Sequence, residues 1–74
     1  MAERTDYEAR VANILKAELK RKGVTYAQLV DKLEEIGVEE KEVNVRNKLS
    51  RGKFTAAFMA ACYAAIGSTE IRLD

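Results

Sequence analysis

The sequence predicts an all-α domain of four helices, and three observations carry that prediction. No proline interrupts the 74 residues. Gly23, Gly37, Gly52 and Gly67 recur at regular intervals, each after a stretch of helically spaced apolar residues, where a left-handed residue closes a helix. Thr5, Thr25 and Thr55 stand at N-cap positions ahead of three of those stretches. A chain this short forms one domain with one modest core, worth about 3–5 kcal/mol, so every helix has to contribute its apolar face. The whole of 1–74 reads as that domain, with 1–5 a flexible N-terminus and 68–74 an extended tail.

The first helix is expected from Asp6 to Lys22. Thr5 and Glu8 have capping-box spacing, and Tyr7, Val11, Ile14, Leu15 and Leu19 form one apolar stripe. Its last turn, Lys20-Arg21-Lys22, sets cations against the negative end of the helix dipole. The second helix follows Thr25, which pairs with Gln28 in another capping box, while Val24 and Leu29 hold the two positions of a hydrophobic staple. Leu29, Leu33 and Ile36 are expected to face inward before Gly37 ends the helix.

The third helix, about 40–51, buries Val45 and Leu49, four residues apart. Val43 lies about 160° around the axis from Val45 at ~100° per residue, so it either staples onto Val38 or is exposed. Asn44, Asn47, Arg51 and, at the edge, Lys48 form the opposite surface. The fourth helix starts at Thr55, with Phe54 and Met59 in staple positions and Phe58, Cys62, Ala65 and Ile66 as its inner stripe. Beyond Gly67, Thr69 to Leu73 alternate like a short strand. Such a strand either pairs with its copy in a second chain or lays Ile71 and Leu73 on the helices.

The near-neutral net charge of +1 conceals an uneven distribution. Lys16, Lys20, Arg21 and Lys22 cluster against Glu18 alone. The segment 31–42 is acidic, with Asp31, Glu34, Glu35, Glu39, Glu40 and Glu42 against Lys32 and Lys41. The segment 43–53 holds Arg46, Lys48, Arg51 and Lys53 and no acid. One cationic face on a neutral chain suits a polyanionic partner.

Cys62 is the one cysteine and histidine is absent, which points to a reducing, cytoplasmic setting. No signal-peptide pattern opens the chain, and the least polar segment, Phe54 to Ile66, falls short of the roughly 20 residues of a membrane span. Catalysis finds no support: there is no clustered metal-ligand set, phosphate-binding glycine loop or nucleophile motif. The acids between Asp31 and Glu42 lack the alternation and central glycine of a calcium loop. Neither a cofactor nor a metal is expected. Tyr7, Tyr26 and Tyr63 share no periodicity and read as aromatics at the edge of the core. Cys62, on an inner stripe, reads as a small buried hydrophobe.

The second and third helices, joined by a short connection after Gly37, suit a helix-turn-helix. The order KAELKRKGVTYAQLVDKL, RNKLSRGKFTAAF, ACYAAIG resembles the lambda-repressor and Cro-like domains, over roughly residues 10–68. More narrowly, LKAELKRKGV and RNKLSRG look like a small bacterial family of uncharacterised domains assigned to that fold. The resemblance implies a lambda-repressor-like four-helix bundle and a DNA-binding, transcription-regulating role, with the third helix in the major groove. It also implies backbone contacts from the start of the second helix and the corner after the third, carried here by Tyr26, Gln28, Lys53 and Thr55.

Asn44 and Asn47 are suited to adenine edges, and Arg46 and Lys48 to guanine or phosphate. Arg51, Lys53 and Thr55 surround a helix N-terminus suited to phosphate. The acidic insert Glu39-Glu40-Lys41-Glu42 departs from the family pattern, because acids laid against a duplex are repelled by phosphate. The sequence therefore points to a double-stranded DNA partner, engaged by a homodimer formed through the 69–73 tail or the fourth helix. The alternative is a protein–protein interaction module that keeps the fold without DNA.

Overall fold

Caps and glycines set where each helix begins and ends. In the computed structural model, which describes residues 5–73, the helices are α1 (Asp6–Lys22), α2 (Tyr26–Glu35), α3 (Glu42–Arg51) and α4 (Ala56–Ala65). The flexible segment expected at 1–5 falls, apart from Thr5, outside the described residues. Thr5 and Thr25 close full capping boxes with Glu8 and Gln28, and the Thr55 hydroxyl accepts from the Phe58 N–H.

All four glycines take the positive φ expected of them. After α1, α2 and α4 the chain forms paired reverse bonds, such as Val24 N–H to Leu19 C=O at 2.9 Å with Gly23 N–H to Lys20 C=O at 3.1 Å. After α3 a single bond, Gly52 N–H to Lys48 C=O at 2.8 Å, does the work. α3 starts two residues later than expected, with Lys41 in extended geometry at the cap position and no side-chain cap hydrogen bond.

The core is built as the stripes predict, with Leu15 and Leu19 from α1, Leu29 and Leu33 from α2, and Val45 and Leu49 from α3. Phe58, Met59, Cys62 and Tyr63 of α4 complete it with Ile66. α3 lies against both α1 and α2, and α4 against α2. Among the described residues no polar or charged residue is buried.

Two expectations are corrected. Tyr7 is 77% exposed, with the Arg10 guanidinium 5.8 Å from its ring centroid, so the α1 stripe begins only at Val11 and buries Ala12. Ile36 is exposed, whereas Ile66, the cap residue of α4 with nearly the same backbone angles, is buried, so it is the lack of a packed neighbour and not the cap geometry that leaves Ile36 out of the core. The tail from Thr69 to Leu73 forms no strand within this single chain, as a segment with no internal strand partner requires. It runs instead along α1: the Ser68 hydroxyl donates to the Glu18 carboxylate, and Leu73 shares a shallow groove with Ala9, Asn13, Ile14 and Ala17. Val43 is exposed, which decides between its two readings.

Candidate nucleic-acid interface

The helix that packs on two others leaves one face open, and in α3 that face is chemically distinct. Val45 and Leu49 are fully buried, which turns Asn47 directly outward at ~100° per residue. Asn44, Asn47 and Arg51 are all exposed and fall within about 60° of one another around the axis. Exposed Val43 and Ser50 border them on one side. The outer strip thus combines two amides, a hydroxyl, an apolar side chain and a guanidinium, and no carboxylate lies within it.

The acids around α3 sit on its flanks, where they hold its other cations. Glu42 accepts from the Arg46 guanidinium at 2.9 Å, one helical turn along the flank. Arg46 also lies over the Tyr26 ring, 5.6 Å from its centroid, tying α3 to the first turn of α2. Glu40, from the loop before α3, accepts from the Lys48 ammonium at 2.7 Å, and that ammonium lies 4.4 Å from the centroid of Phe58. Lys48 is therefore folded back between the loop and α4 and not extended from the strip, although its spacing puts it at the strip's edge.

The remaining expected residues are placed as follows. Lys53 reaches to 3.9 Å from a Glu8 carboxylate oxygen. The Thr55 hydroxyl and the Gln28 side-chain amide oxygen accept backbone N–H groups in their caps, and Tyr26 is half-buried beneath Arg46. The structure brings Tyr26 and Arg46 together at the α2–α3 junction. It gathers Lys53 and Thr55 at the α3–α4 corner and leaves Asn44, Asn47 and Arg51 on the strip between.

Sequence reasoning missed two features. Lys16 and Lys20 of α1 line one shallow groove with Tyr26, Glu42 and Arg46, so cations from two helices meet there. Glu40 and Glu42 are partners of α3 cations; the four-residue spacing of Glu42 and Arg46 carried that signal, but nothing local linked Glu40 to Lys48. Behind α3, burial pushes the Cys62 thiol up to about 12, with Glu40 adding to the shift and Lys48 opposing it. Among the described residues no group of His, Cys, Asp or Glu is arranged to hold a metal ion.

A family model described as Domain of unknown function (DUF6471) matches residues 7–71. The chain belongs to that family. The matched span covers all four helices but for Asp6, and the tail as far as Ile71. No curated protein and no solved structure matches the chain. Among the described residues of this DUF6471 chain, no helix is long and apolar enough to cross a membrane.

Proposed function

We propose that this protein is a small cytoplasmic DNA-binding protein, a transcription regulator of the lambda-repressor-like helix-turn-helix kind, which acts by binding rather than by catalysis. In this reading α3 enters the major groove and its outer strip meets the base edges. The observation that carries the reading is the carboxylate-free strip itself. Asn44 and Asn47 offer paired donor and acceptor atoms to adenine, Arg51 a fork for guanine or phosphate, and Val43 an apolar contact for a thymine methyl. Lys53 at the α3–α4 corner and Tyr26 and Gln28 at the start of α2 flank the strip as backbone contacts. One module with so few phosphate contacts binds weakly at physiological salt, so the functional unit is a homodimer on two half-sites.

The test is selection from a pool of random duplexes followed by salt titration of the winning site. Binding should weaken steeply as salt rises. Asn47→Ala should reduce discrimination for the selected base by about 1–3 kcal/mol. No binding at low salt would overturn the reading.

One observation favours the second reading, a protein–protein interaction module. Glu40 and Glu42 already neutralise two of the cations that α3 would bring to DNA. Under that reading a partner is captured through the acidic loop or the tail, and Asn47→Ala leaves capture unchanged.

A further inference from the structure

The groove between α1, α2 and α3 holds the observation that goes furthest. Lys16 and Lys20 from α1 and Arg46 from α3 line it, with Tyr26 on its wall, and one carboxylate, that of Glu42, sits among them on Arg46. Glu42 is paired with Arg46 alone, while Lys16 and Lys20 line the same groove, so the groove holds three cations from two helices and one carboxylate, a net positive charge that suits a phosphate diester. Arg46 is the pivot, since its guanidinium stacks on Tyr26 and presents N–H donors to whichever anion is there. The Arg46–Glu42 pair is exposed on both sides, with side chains 58% and 46% accessible, so an incoming anion can reach it. Exposed pairs of this kind are weakly held and exchange partners readily.

We infer that this groove is a phosphate-binding site for the nucleic-acid backbone and that the Glu42 carboxylate is its internal competitor. The inference rests on the DNA-binding reading and adds a regulatory element to it. Phosphate contacts supply nearly all of a protein's sequence-independent affinity. Occupying Arg46 from within lowers that affinity while leaving the outer strip of α3 untouched. The acids ahead of α3 then act on the ratio of specific to non-specific binding. Glu40 has the same relation to Lys48 in a more enclosed setting, where the carboxylate is only 14% accessible, so Glu42 is the one that a backbone phosphate displaces first.

The experiment measures binding of the full chain to a short mixed-sequence duplex by fluorescence anisotropy across a salt series, with circular dichroism melts confirming that each variant folds. Glu42→Gln should steepen the slope of log affinity against log salt by about 0.9, the value of one added phosphate contact. Between about 50 and 200 mM salt, that slope widens the affinity ratio by about threefold. Glu39→Gln, an exposed acid in the same segment, controls for the change in net charge and should leave the slope unaltered. Adding Arg46→Ala to Glu42→Gln should return the slope to that of the wild type. Equal slopes for wild type and Glu42→Gln, or the same steepening in Glu39→Gln, overturn the internal competitor and leave the DNA reading standing. Failure of the wild type to bind at low salt overturns the DNA reading and this inference with it.

Discussion

The Lys48 ammonium lies 2.7 Å from a carboxylate oxygen of Glu40, eight residues earlier in the chain. The same ammonium stands over the Phe58 ring, so one side chain links the loop before α3 to the face of α4. Glu40 is the more enclosed partner, and removing the cation leaves a carboxylate that solvent reaches only partly. Lys48→Met keeps the apolar stem over Phe58 but deletes the charge. It should lower stability by about 1 kcal/mol, which a domain of this size shows as a fall in Tm of about 4–8 °C. Adding Glu40→Gln to Lys48→Met should recover most of the loss, and additive losses in the double variant would show that the pair is not coupled.

Gly52 needs to be glycine for two reasons that act together. Its φ of 70° lies in the left-handed region, and a Cβ built there would stand 2.2 Å from the Glu8 carbonyl oxygen of α1. Gly23 has the same φ but open space around it. Gly23→Ala should therefore cost about 1–2 kcal/mol, the backbone strain alone. Gly52→Ala adds a collision with a helix backbone that cannot rotate away, for a total above about 3 kcal/mol. Urea unfolding of the two variants checks this, and equal midpoints would contradict it. A loss of that size is comparable with the whole stability of a domain this small, about 3–5 kcal/mol.

That contrast also shows what was legible in the sequence. Caps, staples and closing glycines involve residues a few positions apart, so their chemistry is written locally. The bounds of α1, the burial of Val45 and Leu49, and all four positive-φ glycines follow from it. The close approach of Gly52 to Glu8 and the pairing of Glu40 with Lys48 depend on how helices are laid against one another, which spacing does not encode. The outer strip of α3 was legible because two buried residues fix the rotation of a whole helix. Glu42, the first residue of α3, was legible as a partner of Arg46 from its four-residue spacing, whereas Glu40 in the loop was legible only as charge, since its turn onto Lys48 depends on how the loop and α4 are laid beside α3. Tyr7 misled because an aromatic in register with an apolar stripe reads as core, although its ring lies exposed beside the Arg10 guanidinium.

The Cys62 thiol should be inert in the folded protein. It is fully buried among apolar side chains, and burial holds its pKa at about 12 against an ordinary 9.0. The thiolate is the reactive form, and a buried sulfur is also sterically closed to reagents. Alkylation at pH 8 should run more than about a hundredfold slower than for the same chain in denaturant. Its residual rate should track unfolding. Rapid labelling under native conditions would mean that α4 opens locally without global unfolding.

The tail gives a prediction in pH. Arg21 first, and then the Ser68 hydroxyl, hold the Glu18 carboxyl down to about 2 from an ordinary 4.5. A folded pKa below the unfolded one means that the unfolded chain takes up the proton first, so protonation favours unfolding. The stabilisation from Glu18 is therefore complete above about pH 4.5 and is lost as pH falls toward 2. Glu18→Gln removes the charge at every pH. The wild type should be more stable than Glu18→Gln above pH 4.5, and the two should converge as pH approaches 2. Ser68→Ala should reproduce a smaller part of the difference, because Ser68 is the lesser of the two partners. Thermal melts of the three proteins across that range check the argument. A gap between wild type and Glu18→Gln that is unchanged at pH 2 would place the stabilisation in the shape of the side chain rather than in its charge.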